Sequence, residues 1–212
     1  MVEANANDNR LNINLLIIGD TAVGKTAILK RYVKKKFDPN KMSTAGVDFM
    51  LVPYQPEGGE DCRVKIWDTA GQERFRQLTN SFFKDADGVI ITFDLTNGPS
   101  FNNVKDWINS VKKYTDEALP MVLVGNKIDL ADAPGRSARM VTTEDGKAIA
   151  ESYDMEYFET SAKTDVGVTD LMKHTFKQTY DFKQDKKAKA VPEVKQSFPL
   201  DRVRHSEVAT KQ

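Results

Sequence analysis

The chain has 212 residues, 40% hydrophobic and 29% charged, with 31 basic side chains against 31 acidic ones. That length and apolar content suit one α/β domain with an extension, and the charge balance gives no basic footprint for nucleic acid. No apolar run reaches the roughly 18 residues of a membrane span, and the single cysteine, Cys62, has no internal disulfide partner.

In chain order, residues 1–10 are polar and read as a flexible start without the apolar core of a signal peptide. LNINLLII at 11–18 reads as a strand, GDTAVGKT at 19–26 as a glycine-punctuated turn, and the residues near 25–34 as a helix. DFMLVPY at 48–54 is the next strand. Pro53 and Pro56 cannot donate ladder hydrogen bonds, which puts this strand at a sheet edge. EGGED at 57–61 reads as a hairpin turn, so the edge strand should run antiparallel to CRVKIWD at 62–68. Strands GVIITFD, PMVLVGN and MEYFET follow, interleaved with helices near 100–114, 143–152 and 167–182. The alternation argues for a mostly parallel sheet wrapped by helices over residues 11–183. Residues 184–212 hold seven Lys and Arg against four acids, with two prolines and no apolar period. They read as a mobile basic tail, a solvated linker rather than a membrane-attracting patch. His174 and His205 are too few and too far apart for a zinc site and read as surface residues.

Three stretches carry chemistry. GDTAVGKT matches G-x-x-x-x-G-K-[ST], in which backbone N–H groups wrap phosphates, Lys25 neutralises them and the Thr26 hydroxyl ligates Mg²⁺. The competing reading is a turn that only connects two elements. NKID at 126–129 follows an apolar strand, and an Asp129 carboxylate in the pocket would accept from the N1–H and 2-amino groups of guanine. Adenine presents an acceptor and no amine there, so such a site rejects it. Alone, NKID could instead be a turn with a helix-capping aspartate, the less favoured reading. ETSAK at 159–163 closes a strand where the Ala162 N–H could meet the guanine O6; by itself it is a weak signal.

In that order, GDTAVGKT, STAGVDF, WDTAGQERFR, GNKID and ETSAK resemble the small GTPases of the Ras superfamily, and WDTAGQERFR with GVDF is similar to the Rab branch, regulators of vesicle traffic. The resemblance covers about residues 11–182. It implies a P-loop GTPase fold: a six-stranded, mostly parallel sheet with an antiparallel edge strand and helices on both faces. It also implies GTP and GDP as ligands with Mg²⁺. Thr21, Ala22, Val23, Gly24, Lys25, Thr26 and Ala27 would surround the phosphates, and Asn126, Lys127, Asp129, Ser161, Ala162 and Lys163 the base. Phe37 would pack on the guanine edge, or else serve as helix-end core. Thr26, Thr44 and Asp68 would attend the metal, the Gly71 N–H would touch the γ-phosphate, and Gln72 would orient the attacking water. Loss of the γ-phosphate would release segments near 37–47 and 68–82, turning hydrolysis into a shape change.

The resemblance further implies effector proteins meeting Phe49, Trp67 and Phe82, a nucleotide exchange factor, and an activating protein that speeds a slow intrinsic hydrolysis. The chain is expected to be a cytoplasmic monomer, with peripheral attachment to the cytosolic face of endomembranes left open. Several residues depart from the family pattern. Thr21 and Ala22 stand where many relatives carry glycine or serine and then glycine. Ala45 replaces the usual isoleucine, SFFKDADG lacks the usual tyrosine pair, and 131–143 is longer than its counterpart. The chain finishes HSEVATKQ, without the prenylated cysteine usual for Rab-like proteins. The rival readings are a soluble GTP-binding adaptor with negligible hydrolysis and no anchor, and a P-loop kinase of small molecules. NKID and the lack of a separate substrate segment argue against the second.

Overall fold

The computed structural model describes residues 10–39, 47–69, 82–115, 119–135 and 138–190. Six strands form one sheet in the order β2-β3-β1-β4-β5-β6: β1 Leu11–Ile18, β2 Val47–Tyr54, β3 Cys62–Thr69, β4 Gly88–Asp94, β5 Met121–Asn126 and β6 Glu156–Thr160. Every neighbouring pair is parallel except β2 with β3, which is antiparallel. Pro53 sits exposed on β2 at the sheet edge, as its missing N–H requires. The β2–β3 turn is closed by the Gly59 N–H donating to Pro56 O at 3.2 Å, with Gly58 at φ +70°.

Helices flank both faces: α1 Lys25–Lys34, α2 Gly98–Asn102, α3 Val104–Tyr114, α4 Ile128–Ala131, α5 Thr143–Ser152 and α6 Val168–Ala190. Because successive strand residues point to opposite faces, β1 splits its apolar side chains between two cores. Leu16 and Ile18 join Val89, Ile91, Phe93 and Leu123 under Trp107 and Ile108 of α3 and Ala150 of α5. Ile13, Leu15 and Ile17 join Ile66, Ile90 and Val124 under Ile28 and Leu29 of α1 and Leu171 and Phe176 of α6. The β1 residues among these are fully buried, and each such side chain is worth about 1.5–3 kcal/mol.

The structure departs from the sequence reading in four places. The last helix continues to Ala190, past the end expected near 182. There the Lys183 ammonium lies 2.7 Å from the buried Asp87 carboxylate, which also accepts the Asn14 N–H. Gln184 donates to the Tyr180 hydroxyl at 2.8 Å, and that hydroxyl accepts the Glu60 N–H at 3.3 Å. The helix expected over 100–114 is two helices, with Asn103 between them. The single turn α4, which carries Asp129, was not anticipated. His174 is half-buried, its ring 5.3 Å from that of Phe158, rather than a plain surface residue. No described helix is long and apolar enough to cross a membrane. The turns after β1, β4, β5 and β6 all open at the carboxyl edge of the parallel strands, where open α/β sheets bind their ligands.

Candidate functional site

β1 runs directly into the turn at 19–24, and the backbone there is tightly confined. A Cβ on Gly19, at φ +136°, would lie 2.0 Å from Thr92 O. A Cβ on Gly24, at φ +102°, would lie 2.3 Å from Asn126 Nδ2. Ala22 adopts a left-handed φ of +65° without being glycine. The chain then enters α1 with Gly24 as its cap and no capping side chain, so the first N–H groups of a ten-residue helix border the turn. That is the partial positive charge a phosphate seeks. Thr21 and Ala22 are exposed on the turn, Val23 is buried, and Ala27 packs against the α1 core.

Lys25 lies beneath the turn, 5% exposed, with its ammonium donating to Gly19 O and Asp20 O, both at 2.8 Å. Burial pushes its pKa down to about 8, against the opposing pull of Asp68 and Asp20. A dry cation in this position is stabilised by an incoming anion. Asp20, which the motif leaves unspecified, accepts from Asn103 Nδ2 at 2.7 Å and Trp107 Nε1 at 2.8 Å, tying the turn to α3.

Two of the three expected metal attendants meet. The Thr26 hydroxyl donates to Asp68 Oδ2 at 2.5 Å, and Asp68 is 2% exposed at the end of β3. The Thr69 hydroxyl, donating to Ile17 O at 2.9 Å, holds that end of β3 beside β1. Among the described residues no three His, Cys, Asp or Glu side chains gather for a metal. The pair is a hydroxyl and a carboxylate, hard oxygen donors of the kind Mg²⁺ takes one or two at a time while keeping waters. These residues therefore fit the ion. Thr44, Gly71 and Gln72 lie outside the described residues.

The residues expected around the base come together at the ends of β5 and β6. Asn126, buried, donates from Nδ2 to Val23 O at 2.9 Å, while its Oδ1 accepts from Thr160 Oγ1 at 3.1 Å and the Ala162 N–H at 3.4 Å. One side chain thus fastens the phosphate turn to the SAK segment. Lys127, at φ +69°, places its ammonium 2.6 Å from Asp94 Oδ2. Asp129 accepts from the Ser161 hydroxyl at 2.6 Å and has the exposed Lys163 ammonium at 3.9 Å. The Ala162 and Lys163 carbonyls each accept from Arg31 of α1 at 2.7 Å. Phe37 is partly buried and packs against the α1–α6 core.

Sequence reasoning missed Asp20, Arg31, Asp94 and Thr160. Arg31, Asp94 and Thr160 act on the expected residues from another element, whereas Asp20 ties the turn itself to α3, and only Asp20 and Thr160 stand inside a motif.

Away from the pocket, Phe49 and Trp67 are cross-strand partners with ring centroids 5.4 Å apart, and Phe82 lies 4.7 Å from Trp67. Lys65 sits over both of the first two rings, at 4.3 and 3.9 Å. Phe49 is 45% exposed, whereas Trp67 and Phe82 pack partly on the α3 core.

A glycine-bounded turn after the first strand of a mostly parallel sheet, with Asn126 delivered to it and Asp129 carried just beyond from the end of β5, defines a P-loop nucleotide-binding fold. The family model described as "Ras family" matches residues 14–181. The chain is similar to the Ras-related protein RIC1 of Oryza sativa subsp. japonica, 43% identical over 149 residues, covering 70% of this chain and 71% of that one. It is 42% identical over 154 residues to the Ras-related protein RABD2c of Arabidopsis thaliana, covering 73% of each. To the GTP-binding protein yptV2 of Volvox carteri it is 37% identical over 156 residues, 74% of this chain and 70% of that one. The chain belongs to the Ras family of small GTPases and is Rab-like within it.

Proposed function

We propose that this protein is a guanine-nucleotide switch of Rab type that hydrolyses GTP slowly and acts in vesicle traffic. The observation that supports the reading is Asn126: its amide joins Val23 of the turn at 19–24 to Thr160 and Ala162 of the SAK segment, so the two segments border one pocket. The yptV2 relative is named for GTP binding, and other relatives are named Ras-related.

In this reading the N–H groups of 21–27 and Lys25 hold the phosphates. Thr26 and Asp68, with Thr44, hold Mg²⁺, which when bound neutralises phosphate charge. Asp129 accepts the N1–H and 2-amino groups of guanine; Ser161 occupies one of the roughly four lone-pair sites of its carboxylate and leaves room for both. Lys127 and Lys163 flank the base, and the Ala162 N–H, which donates to Asn126 Oδ1 at a long 3.4 Å, is shared with O6. Gly71 senses the γ-phosphate, and Gln72 orients water, its neutral amide able to donate and accept at once.

Phe49, Trp67 and Phe82 form the effector patch, a contiguous aromatic surface of the kind that anchors partners. An exchange factor and an activating protein set the lifetime of each state. The switch unit spans 11–183, and α6 carries the chain on toward the tail.

Single-turnover hydrolysis of loaded GTP tests this. The expected rate is on the order of 10⁻⁴ to 10⁻³ s⁻¹ without an activator, and Gln72→Leu should lower it roughly tenfold or more. Thr21→Gly, which removes a branched side chain from the exposed turn, should raise it. Tight GTP binding with no measurable turnover in the native chain would instead favour an adaptor without hydrolysis.

A further inference from the structure

The segment after Asp129 contains an ion-pair junction that none of the phosphate or base motifs explains. Arg139 donates from Nε and Nη2 to the two oxygens of Asp132, both at 2.7 Å. The same guanidinium donates from Nη1 and Nη2 to the two oxygens of Glu159, at 3.0 and 2.8 Å. Nη1 also reaches Val141 O at 3.1 Å. Glu159 Oε1 accepts two further hydroxyls, from Thr143 and Tyr157, each at 2.9 Å. Arg139 and Glu159 are 18% and 13% exposed as side chains, so this arm is shielded from solvent, whereas Asp132 is 50% exposed.

The two carboxylates occupy significant places. Asp132 caps the C-terminus of α4, three residues after Asp129. Glu159 is the penultimate residue of β6, two before Ser161, the residue that holds Asp129 by its hydroxyl. A planar guanidinium gripping two carboxylates fixes their separation and mutual orientation. Asp129 and Ser161 are therefore held in register from behind as well as by their own hydrogen bond.

We infer that Arg139 is a positioning residue for base recognition: it clamps the segment carrying Asp129 to the segment carrying Ser161, so that the Asp129 carboxylate keeps its aim at the base edge. This rests on the proposed role of Asp129 in reading guanine, and it gives the long 131–143 connection a task beyond spanning two elements.

The test compares dissociation of GDP and IDP from the full chain. Inosine keeps the N1–H but lacks the 2-amino group, so a well-aimed Asp129 holds GDP more tightly than IDP. Arg139→Ala should release GDP about tenfold faster, equivalent to 1.4 kcal/mol, while IDP release changes less, so the IDP-to-GDP ratio of release rates falls. Arg139→Lys, which keeps the charge but loses the fork, should fall between. Asp132→Asn, on the exposed arm and safe for folding, should move the ratio in the same direction by a smaller factor.

Lys183→Ala serves as the control for stability alone, because it breaks the Lys183–Asp87 pair at the opposite edge of the sheet. It should leave the ratio unchanged. If Asp129→Ala collapses the ratio while Arg139→Ala and Asp132→Asn leave it at the native value, the clamp is overturned and the base reading stands. If Asp129→Ala itself leaves the ratio unchanged, the base reading fails and the clamp fails with it.

Discussion

At the proposed phosphate end of the pocket, the turn, the helix start and the buried ammonium all lie within the eight residues 19–26. At the proposed base end, Asp94, Asn126, Asp129 and Ser161 arrive from three strand ends and meet through side chains. The first is a backbone site, formed wherever a strand, a confined turn and a helix succeed one another. The second is a tertiary site that exists only when β4, β5 and β6 are already aligned. Asn126 is the hinge of the comparison, since it belongs to the base end and bonds to the phosphate end.

The largest effect should come from filling the phosphate turn. Gly24→Val adds a side chain where a Cβ alone meets Asn126 Nδ2 at 2.3 Å and φ is +102°. Nucleotide affinity should fall by about 10³-fold or more, that is at least 4 kcal/mol, in a titration with fluorescent GDP. An affinity within tenfold of native would mean the turn is not a close-fitting cradle.

Asn126→Ala should rank next, because it unfastens the two ends and leaves Val23 O, Thr160 Oγ1 and the Ala162 N–H without that partner. With a cost of about 1–3 kcal/mol for each such buried group, GDP should dissociate on the order of 10²-fold faster. Equal acceleration of GDP and IDP would mark a loosened phosphate end, and a larger effect on GDP a loosened base end.

The third effect is on stability and runs the other way. The folded pKa of Lys25 is lowered to about 8 from 10.5, so the charged form is disfavoured by folding. This cost is fully present below pH 8 and is relieved as pH rises toward 10.5, where the unfolded chain binds more protons. Nucleotide-free Lys25→Met should therefore be more stable than the native chain at pH 7, by about 2–3 kcal/mol. The gap should close by pH 10.5. Denaturant melts at the two pH values check the sign, and a less stable Lys25→Met at pH 7 would show that the buried ammonium is not strained.

The same contrast explains what the sequence could disclose. Pro53 and Pro56 announce an edge strand, and the glycines and Lys25 announce the phosphate turn, because each acts through its own backbone or near neighbours. Asp129 and Ser161 were legible only as short motifs in series. Arg31 donating to Ala162 and Lys163, and Lys183 holding Asp87, span 131, 132 and 96 residues along the chain. No periodicity or spacing records such pairs. The extension of α6 to Ala190 went unread for that reason, since its anchor is a carboxylate just before β4. Arg139 is similar: its partner Glu159 opens a recognised motif, yet the arginine lies 20 residues away in a connection without pattern.

The most direct measurement is the relative affinity for GDP and XDP of the native chain and of Asp129→Asn. Xanthine carries a carbonyl where guanine carries the 2-amino group, so a carboxylate suits guanine and an amide suits xanthine. The native chain should prefer GDP by roughly 10⁴-fold, the discrimination available to a site built around one hydrogen-bonding edge, and Asp129→Asn should reverse the preference. A native chain that binds GDP and XDP about equally, or a variant that still prefers GDP, would contradict the assignment of this pocket to guanine.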